Sequence, residues 1–212
     1  MIHNLIDNRI AILTMEADGR NAMSAEDLRT LASLLREHDA SGEVDGIILT
    51  GANHAFCAGL AYNSAERAQQ TKEPQLAELF PALEEALLAL RAVRLPLVCA
   101  VTGHAIGAGM LMMCTADAIF MTDSPKAKYG LPEVMLGLHI TKPMADTLRM
   151  RFSEPQIRRM LFGGSYVDVE TLRSWTLLDG VEPEDKLLDE AKDYINVLRD
   201  HLESVRHCKE VL

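Results

Sequence analysis

Gly103-His104-Ala105-Ile106-Gly107-Ala108-Gly109-Met110-Leu111 is the stretch on which the reading of this chain turns. It leaves an apolar run with the look of a strand, Leu97-Val98-Cys99-Ala100-Val101, turns through small residues and enters an apolar helix. The first turn of a helix carries backbone N–H groups that have no acceptor within the helix. Such a turn suits negative charge developing on an oxygen atom. Further along, Gly130-Leu131-Pro132-Glu133-Val134-Met135-Leu136-Gly137 supplies one carboxylate. The two segments together read as an oxyanion pocket followed by a single acid-base group.

Working outward from there, residues 10–15 read as a strand, Asp18-Gly19 as a turn, and Ser24 with Asp27 as an N-cap and its partner three residues on. Leu28, Leu31, Leu34 and Leu35 recur at helical spacing up to Ser41-Gly42, and residues 46–51 form a continuously apolar strand of the kind covered on both faces. From Tyr62 to Glu73 the chain is polar, with little to anchor it: a lid, an exposed helix or a plain surface loop. Leu76, Leu79, Phe80, Leu83, Leu87 and Leu90 mark a long amphipathic helix; residues 110–116 are apolar on every side and predict a buried helix; residues 118–121 predict a strand. This alternation is that of an α/β protein with short parallel strands and right-handed crossovers. Beyond residue 125 no further strand is expected. Ser153-Glu154-Pro155-Gln156 and Asp168-Val169-Glu170 read as helix starts, Gly163-Gly164 as a helix end, and residues 185–205 as a long helical region. The expected division is a core over residues 1–150 and a helical region over 151–212 that caps the site or binds a neighbouring subunit.

The chain has 212 residues, 48% of them hydrophobic, which is enough for one sizeable core with no linker to divide it. A formal charge of -10, from 31 acidic and 21 basic residues, would repel a nucleic-acid backbone, and no dense basic run offsets it. Cys57, Cys99, Cys114 and Cys208 lack C-x-x-C spacing, so buried reduced thiols are expected rather than a metal site or disulfides. The N-terminus lacks the basic region and long apolar run of a signal peptide, and no apolar stretch reaches the roughly 18 residues of a membrane span. The expectation is a cytoplasmic protein that meets neither membrane nor nucleic acid.

Four segments resemble the crotonase superfamily, the enoyl-CoA hydratase/isomerase family: Arg20-Asn21-Ala22-Met23-Ser24, His54-Ala55-Phe56-Cys57-Ala58-Gly59-Leu60, Gly103 to Leu111, and Gly130 to Gly137. Each is weak alone; their order, spacing and placement at strand ends make the combination specific. The resemblance implies a crotonase-like spiral of β-β-α units with a helical C-terminal region, assembly as trimers or hexamers, and acyl-coenzyme A thioesters as substrates, with no cofactor besides the coenzyme A of the substrate. It implies that the N–H groups of Leu60 and Ala108, flanked by Gly107 and Gly109, hold the thioester oxygen. It places Asn21, Ala22 and Met23 with Cys57, Ala58 and Gly59 along the coenzyme A moiety.

The same resemblance gives Glu133 its role. Alone, a glutamate in a loop is most simply a solvated surface residue, although Pro132 restricts its backbone and an apolar run follows, a setting that desolvates a carboxylate and raises its pKa. In the family the matching position carries a catalytic glutamate. Hydratases of the family place a second glutamate where this chain has Leu111. A single base can instead remove a proton from C2 of a 3-enoyl thioester and return it to C4, the Δ3,Δ2-enoyl-CoA isomerisation. The resemblance to the isomerases of the superfamily favours this over hydration, while other family members decarboxylate, condense, dehalogenate or hydrolyse thioesters with the same few positions. Two alternatives stay open: a 2-enoyl-CoA hydratase in which His139 or Tyr62 orients water, and a non-catalytic acyl-CoA-binding protein of the same fold. The acidic residue usual after Ala-Gly-Leu is replaced by Ala61.

The remaining candidates each carry a plainer reading. His139, between Leu138 and Ile140, is a second proton carrier or a structural histidine. His104 receives no role, and Tyr62 and Asn63 reach the acyl group or lie on the surface. Met110, Met112, Met113, Met135, Met144 and Met150 line an adaptable acyl tunnel or pack the core. Lys142, Arg149, Arg151, Arg158, Arg159 and Lys209 are the basic residues offered to coenzyme A phosphates.

Overall fold

Asn8 and Arg9, both at positive φ (46° and 63°), make the two-residue turn that joins β1 (Ile2–Asp7) to β2 (Ile10–Met15) as an antiparallel hairpin. In the computed structural model, which describes residues 1–62 and 72–211, this hairpin opens a six-stranded sheet. The polar segment read as a lid falls, from Asn63 to Thr71, outside the described residues. β2 lies parallel to β3 (Gly46–Gly51), β3 to β5 (Leu97–Val101) and β5 to β7 (Ala118–Thr122). Every position of β3, β5 and β7 is buried, as continuous apolar runs require when a parallel sheet is covered on both faces.

Each of these three strands is followed at once by a short strand of a second, all-parallel sheet: β4 (Ala55–Cys57), β6 (His104–Ile106) and β8 (Tyr129–Gly130). A helical segment comes next in each round: α3 (Lys72–Ala92), α4 (Ala108–Met113), and the 3-10 turn Val134–Leu136. The repeated unit is strand, strand, helix, so the chain winds as the expected β-β-α spiral. Before it, α1 (Asp18–Asn21) is a single turn with Gly19, Arg20 and Asn21 at positive φ, and α2 (Ala25–Ser41) packs on α3. The Ser24–Asp27 capping box is formed, and Gly42 ends α2 in the left-handed conformation.

The C-terminal region departs from expectation. It contains α5 (Lys142–Arg149), α6 (Glu154–Gly163) and α7 (Val169–Ser174), with the predicted Ser153 and Asp168 caps, and then a further strand, β9 (Gly180–Glu182), parallel to β7 as the sixth member of the large sheet. Strands thus continue past residue 125, in β8 and β9, where two or three residues are too few to show a period of two. α8 (Glu184–Leu198) lays Leu187, Ala191 and Ile195 on Ile10, Ile12, Ile48, Val98 and Phe120, a second core on the outer face of the sheet. Beyond the 3-10 turn Arg199–His201, α9 (Leu202–Val211) is tied down by Lys209, whose Nζ donates to Asp117 Oδ2 at 2.6 Å and to the Leu95 carbonyl at 2.9 Å. Cys57, Cys99 and Cys114 are buried thiols as expected, but Cys208 is exposed. Among the described residues, no helix is long and apolar enough to cross a membrane, and no cluster of His, Cys, Asp and Glu could hold a metal.

Candidate active site

Gly107 closes β6 and opens α4. Its N–H donates to the Gly130 carbonyl of β8 at 2.9 Å, its own carbonyl accepts from Leu111 N at 3.0 Å, and its backbone sits at φ 57°, ψ −114°. All six residues of α4 are buried. The N–H groups of its first turn have no acceptor within the helix, and Ala108 places its backbone on the wall of a cavity of about 650 Å³ including the open mouth. Gly109 lies against β4, where any Cβ would collide with the Cys57 carbonyl.

The adjoining part of the wall comes from the end of β4. Gly59 (φ 104°) passes its carbonyl to Met23 N at 2.9 Å, and Ala61 N donates to the Met23 carbonyl at 2.8 Å, a one-residue parallel bridge between Met23 and Leu60. Successive amides of an extended chain point to opposite sides, so the Leu60 N–H is turned away from Met23. Leu60, like Ala108, lines the cavity.

Glu133 enters from the third round of the spiral. Pro132 precedes it, and its carbonyl accepts from Leu136 N (3.0 Å) and Leu138 N (2.8 Å), which fixes the backbone on which the side chain is mounted. Its carboxylate lines the cavity, and Oε2 is buried with no hydrogen-bond partner among the described residues. A Cβ on Gly107 would stand 2.8 Å from Oε1, so the carboxylate occupies space that only glycine leaves. Burial pushes the Glu133 pKa up to about 7, against a small opposing effect of a backbone hydrogen bond. This glutamate is therefore no surface residue.

The rest of the cavity is mostly apolar. Leu76, Phe80 and Leu83 of α3, Leu111 of α4, and Leu136, Leu138 and Met144 form its walls, with Tyr62 and His139 at polar positions. The His139 ring meets Phe80 edge-on, with centroids 5.7 Å apart. Of the residues singled out from the sequence, Ala58, Gly59, Leu60, Gly107, Ala108, Leu111 and Glu133 converge here, together with Tyr62 and His139. Asn21, Ala22, Met23, Cys57 and Gly109 do not line it. Asn21 is fully buried and holds the turn beneath β4, donating from Nδ2 to the carbonyls of Ala52 (2.8 Å) and Ala55 (2.7 Å) while Oδ1 accepts from Ala17 N. Met23 and Cys57 are core, and burial pushes the Cys57 thiol up to about 12.

Of the six methionines, Met144 alone lines the cavity; Met110, Met112 and Met113 are core, while Met135 and Met150 are exposed elsewhere. The basic residues offered to phosphates are engaged elsewhere. Lys142 pairs with Asp146 (2.6 Å), Arg149 and Arg158 with Glu154, Arg151 with the carbonyls of Ala116 and Asp117, Lys209 with Asp117, and Arg159 lies over Trp175. His104 Nδ1 accepts from Lys128 N, a structural role. Among the described residues, no wall residue of this cavity lies beyond Met144. The α3 wall was missed because helical periodicity reports that a side chain turns inward, not whether the space it faces is filled.

The chain resembles known proteins along most of its length. The chain is 29% identical over 191 residues to a fatty acid oxidation complex subunit alpha of Shewanella loihica, covering 89% of this chain but 27% of that protein. It is 30% identical over 162 residues to a Mycobacterium tuberculosis protein named "Probable enoyl-CoA hydratase", covering 74% of this chain and 60% of the relative. The chain thus spans about a quarter of the first relative and under two thirds of the second. The fold is that of Pseudomonas aeruginosa DspI (TM-score 0.86, 22% identity, 99% of this chain and 84% of that one) and of an enoyl-CoA hydratase/carnithine racemase from Magnetospirillum magneticum (TM-score 0.87, 21% identity, 99% and 79%). Residues 6–212 match enoyl-CoA hydratase/isomerase as a family, and the chain belongs to that family.

Proposed function

We propose that this protein shifts the double bond of a 3-enoyl-CoA to give the trans-2-enoyl-CoA, with Glu133 as the only acid-base group. The observation that carries the reading is that Glu133 is the one carboxylate among the described residues lining the cavity, while Leu111 presents an apolar side chain to the same space. The ionised Glu133 takes a proton from C2, and the electron pair of that C–H bond moves into the thioester carbonyl to give a dienolate. The N–H groups of Leu60 and Ala108 stabilise the oxygen; one such donor is typically worth roughly 3 kcal/mol. Glu133 then returns the proton to C4 and the C2=C3 bond forms. A pKa of about 7 leaves both protonation states populated near neutrality, which suits a group that must accept and then donate.

A second reading, hydration of a 2-enoyl-CoA, is favoured by the names of curated relatives and by Tyr62 and His139 on the cavity wall, where they would orient water. The deciding experiment follows the conjugated enoyl thioester by absorbance with trans-3-enoyl-CoA and, separately, trans-2-enoyl-CoA. The expected result is a rise with the 3-enoyl ester that Glu133→Gln abolishes while ester binding survives. A fall with the 2-enoyl ester instead would establish hydration, and full activity in Glu133→Gln would sink the mechanism.

A further inference from the structure

We infer that the catalytic cavity continues past His139 into an outer groove between the 3-10 turn and α6, and that this groove takes the distal end of a long, unbranched acyl chain. The inference rests on the acyl-CoA reading of the cavity and adds the kind of acyl group. Leu138 and His139 form part of both the cavity wall and the groove wall, so the two spaces lie next to one another on either side of these residues. The edge-on contact of His139 with Phe80 marks the junction. Beyond it the groove is bounded by Val134, Ile140, Ile157 and Phe162, and two of these are unusually open for apolar side chains: Phe162 is 57% exposed and Val134 41%.

The charged groups on the rim are already matched to one another. Arg158 Nε lies 3.2 Å from Glu154 Oε1, Arg149 reaches Glu154 at 3.7 Å and Asp146 at 3.4 Å. With its charges paired, the groove offers little to an anionic or cationic ligand and much to a hydrocarbon. Each methylene moved from water onto such a surface is worth about fourfold in affinity. The occupant that satisfies both the apolar walls and the adjacency to the cavity is the tail of the substrate.

The test uses saturated esters, which cannot react: binding of dodecanoyl-CoA and butanoyl-CoA is measured by calorimetry on the wild type, on Ala145→Phe and on Phe162→Asp. Ala145 is a half-buried groove residue, so Phe there fills the groove from its floor; Phe162→Asp puts charge on an exposed wall and spares the core. The wild type should bind the long ester at least about tenfold more tightly than the short one, and both variants should bring that ratio close to unity. Equal affinity for the two esters in the wild type, or a ratio untouched by both variants, overturns the groove. So does a loss that is equal for both esters and accompanied by a change in sedimentation, which would make this face a contact between copies of the chain. Turnover of a short 3-enoyl ester, measured alongside, reports on the isomerase reading separately, since the binding ratio does not depend on it.

Discussion

Glu133 and Gly107 form the smallest unit that determines what this site can do, and their geometry makes two predictions. A carboxyl whose pKa is about 7 in the native protein and 4.5 when unfolded is protonated in both states at low pH, where it costs nothing. As pH rises from about 4.5 through about 7, the unfolded state ionises more readily, and the folded state loses up to about 3 kcal/mol. Glu133→Gln lacks that loss, so denaturant titrations should find it as stable as the wild type near pH 4.5 and more stable above pH 7 by up to that amount. Gly107→Ala should do the reverse. Its Cβ would stand 2.8 Å from Oε1 on a backbone at φ 57°, so it should cost about 1–3 kcal/mol in stability. It should also lower kcat more than it raises KM, because the displaced group is the base of the proposed reaction. The position of Glu133 in sequence was legible, and so was the apolar run behind it. The desolvation that this setting suggests is borne out, and its walls come also from Leu111 of α4 and from Leu76, Phe80 and Leu83 of α3, on other rounds of the spiral that the local sequence does not show.

At the scale of elements, local chemistry decided starts and stops. The Ser24 side chain accepts from Asp27 N at 3.1 Å while Asp27 Oδ2 accepts from Ser24 N at 3.1 Å, so both orphan donors at the head of α2 are satisfied. Ser24→Ala should lower stability by about 1 kcal/mol, read as a shift of the urea midpoint with unchanged slope. Ser153 with Gln156 and Asp168 cap other helix starts in the same way, while Gly42 and Gly164 end α2 and α6 by taking the left-handed conformation, and all are visible in sequence because a cap needs only neighbours a few residues apart. β4, β6, β8 and β9 escaped that reading. They are two or three residues long and exist because a partner strand, distant in sequence, supplies their hydrogen bonds.

For the whole molecule, the surprise is the position of the C-terminal region, whose β9 joins the large sheet and whose α8 packs on the outer face of that sheet. Ile195 reaches so close to β3 that a Cβ on Gly46 would stand 2.6 Å from its Cγ2, and Ile195 is fully buried. Ile195→Ala should therefore cost about 2–5 kcal/mol in thermal or chemical unfolding, with little change in KM for a short ester, since no described residue beyond Met144 lines the cavity. A mutant series that left stability intact and raised KM would mean that α8 acts as the cap the sequence suggested. The sequence by itself determined the α/β class, the three long parallel strands, the caps and the glycine-to-helix turn, because each is written in neighbouring residues and their periodicity. Only the tertiary structure decided that the Asn21 side chain holds the turn beneath β4, that α3 walls the cavity, and that the expected phosphate-binding cations are engaged by other groups of the chain. Those properties depend on which distant segments arrive at the same place, and a one-dimensional pattern of burial and charge does not carry that information.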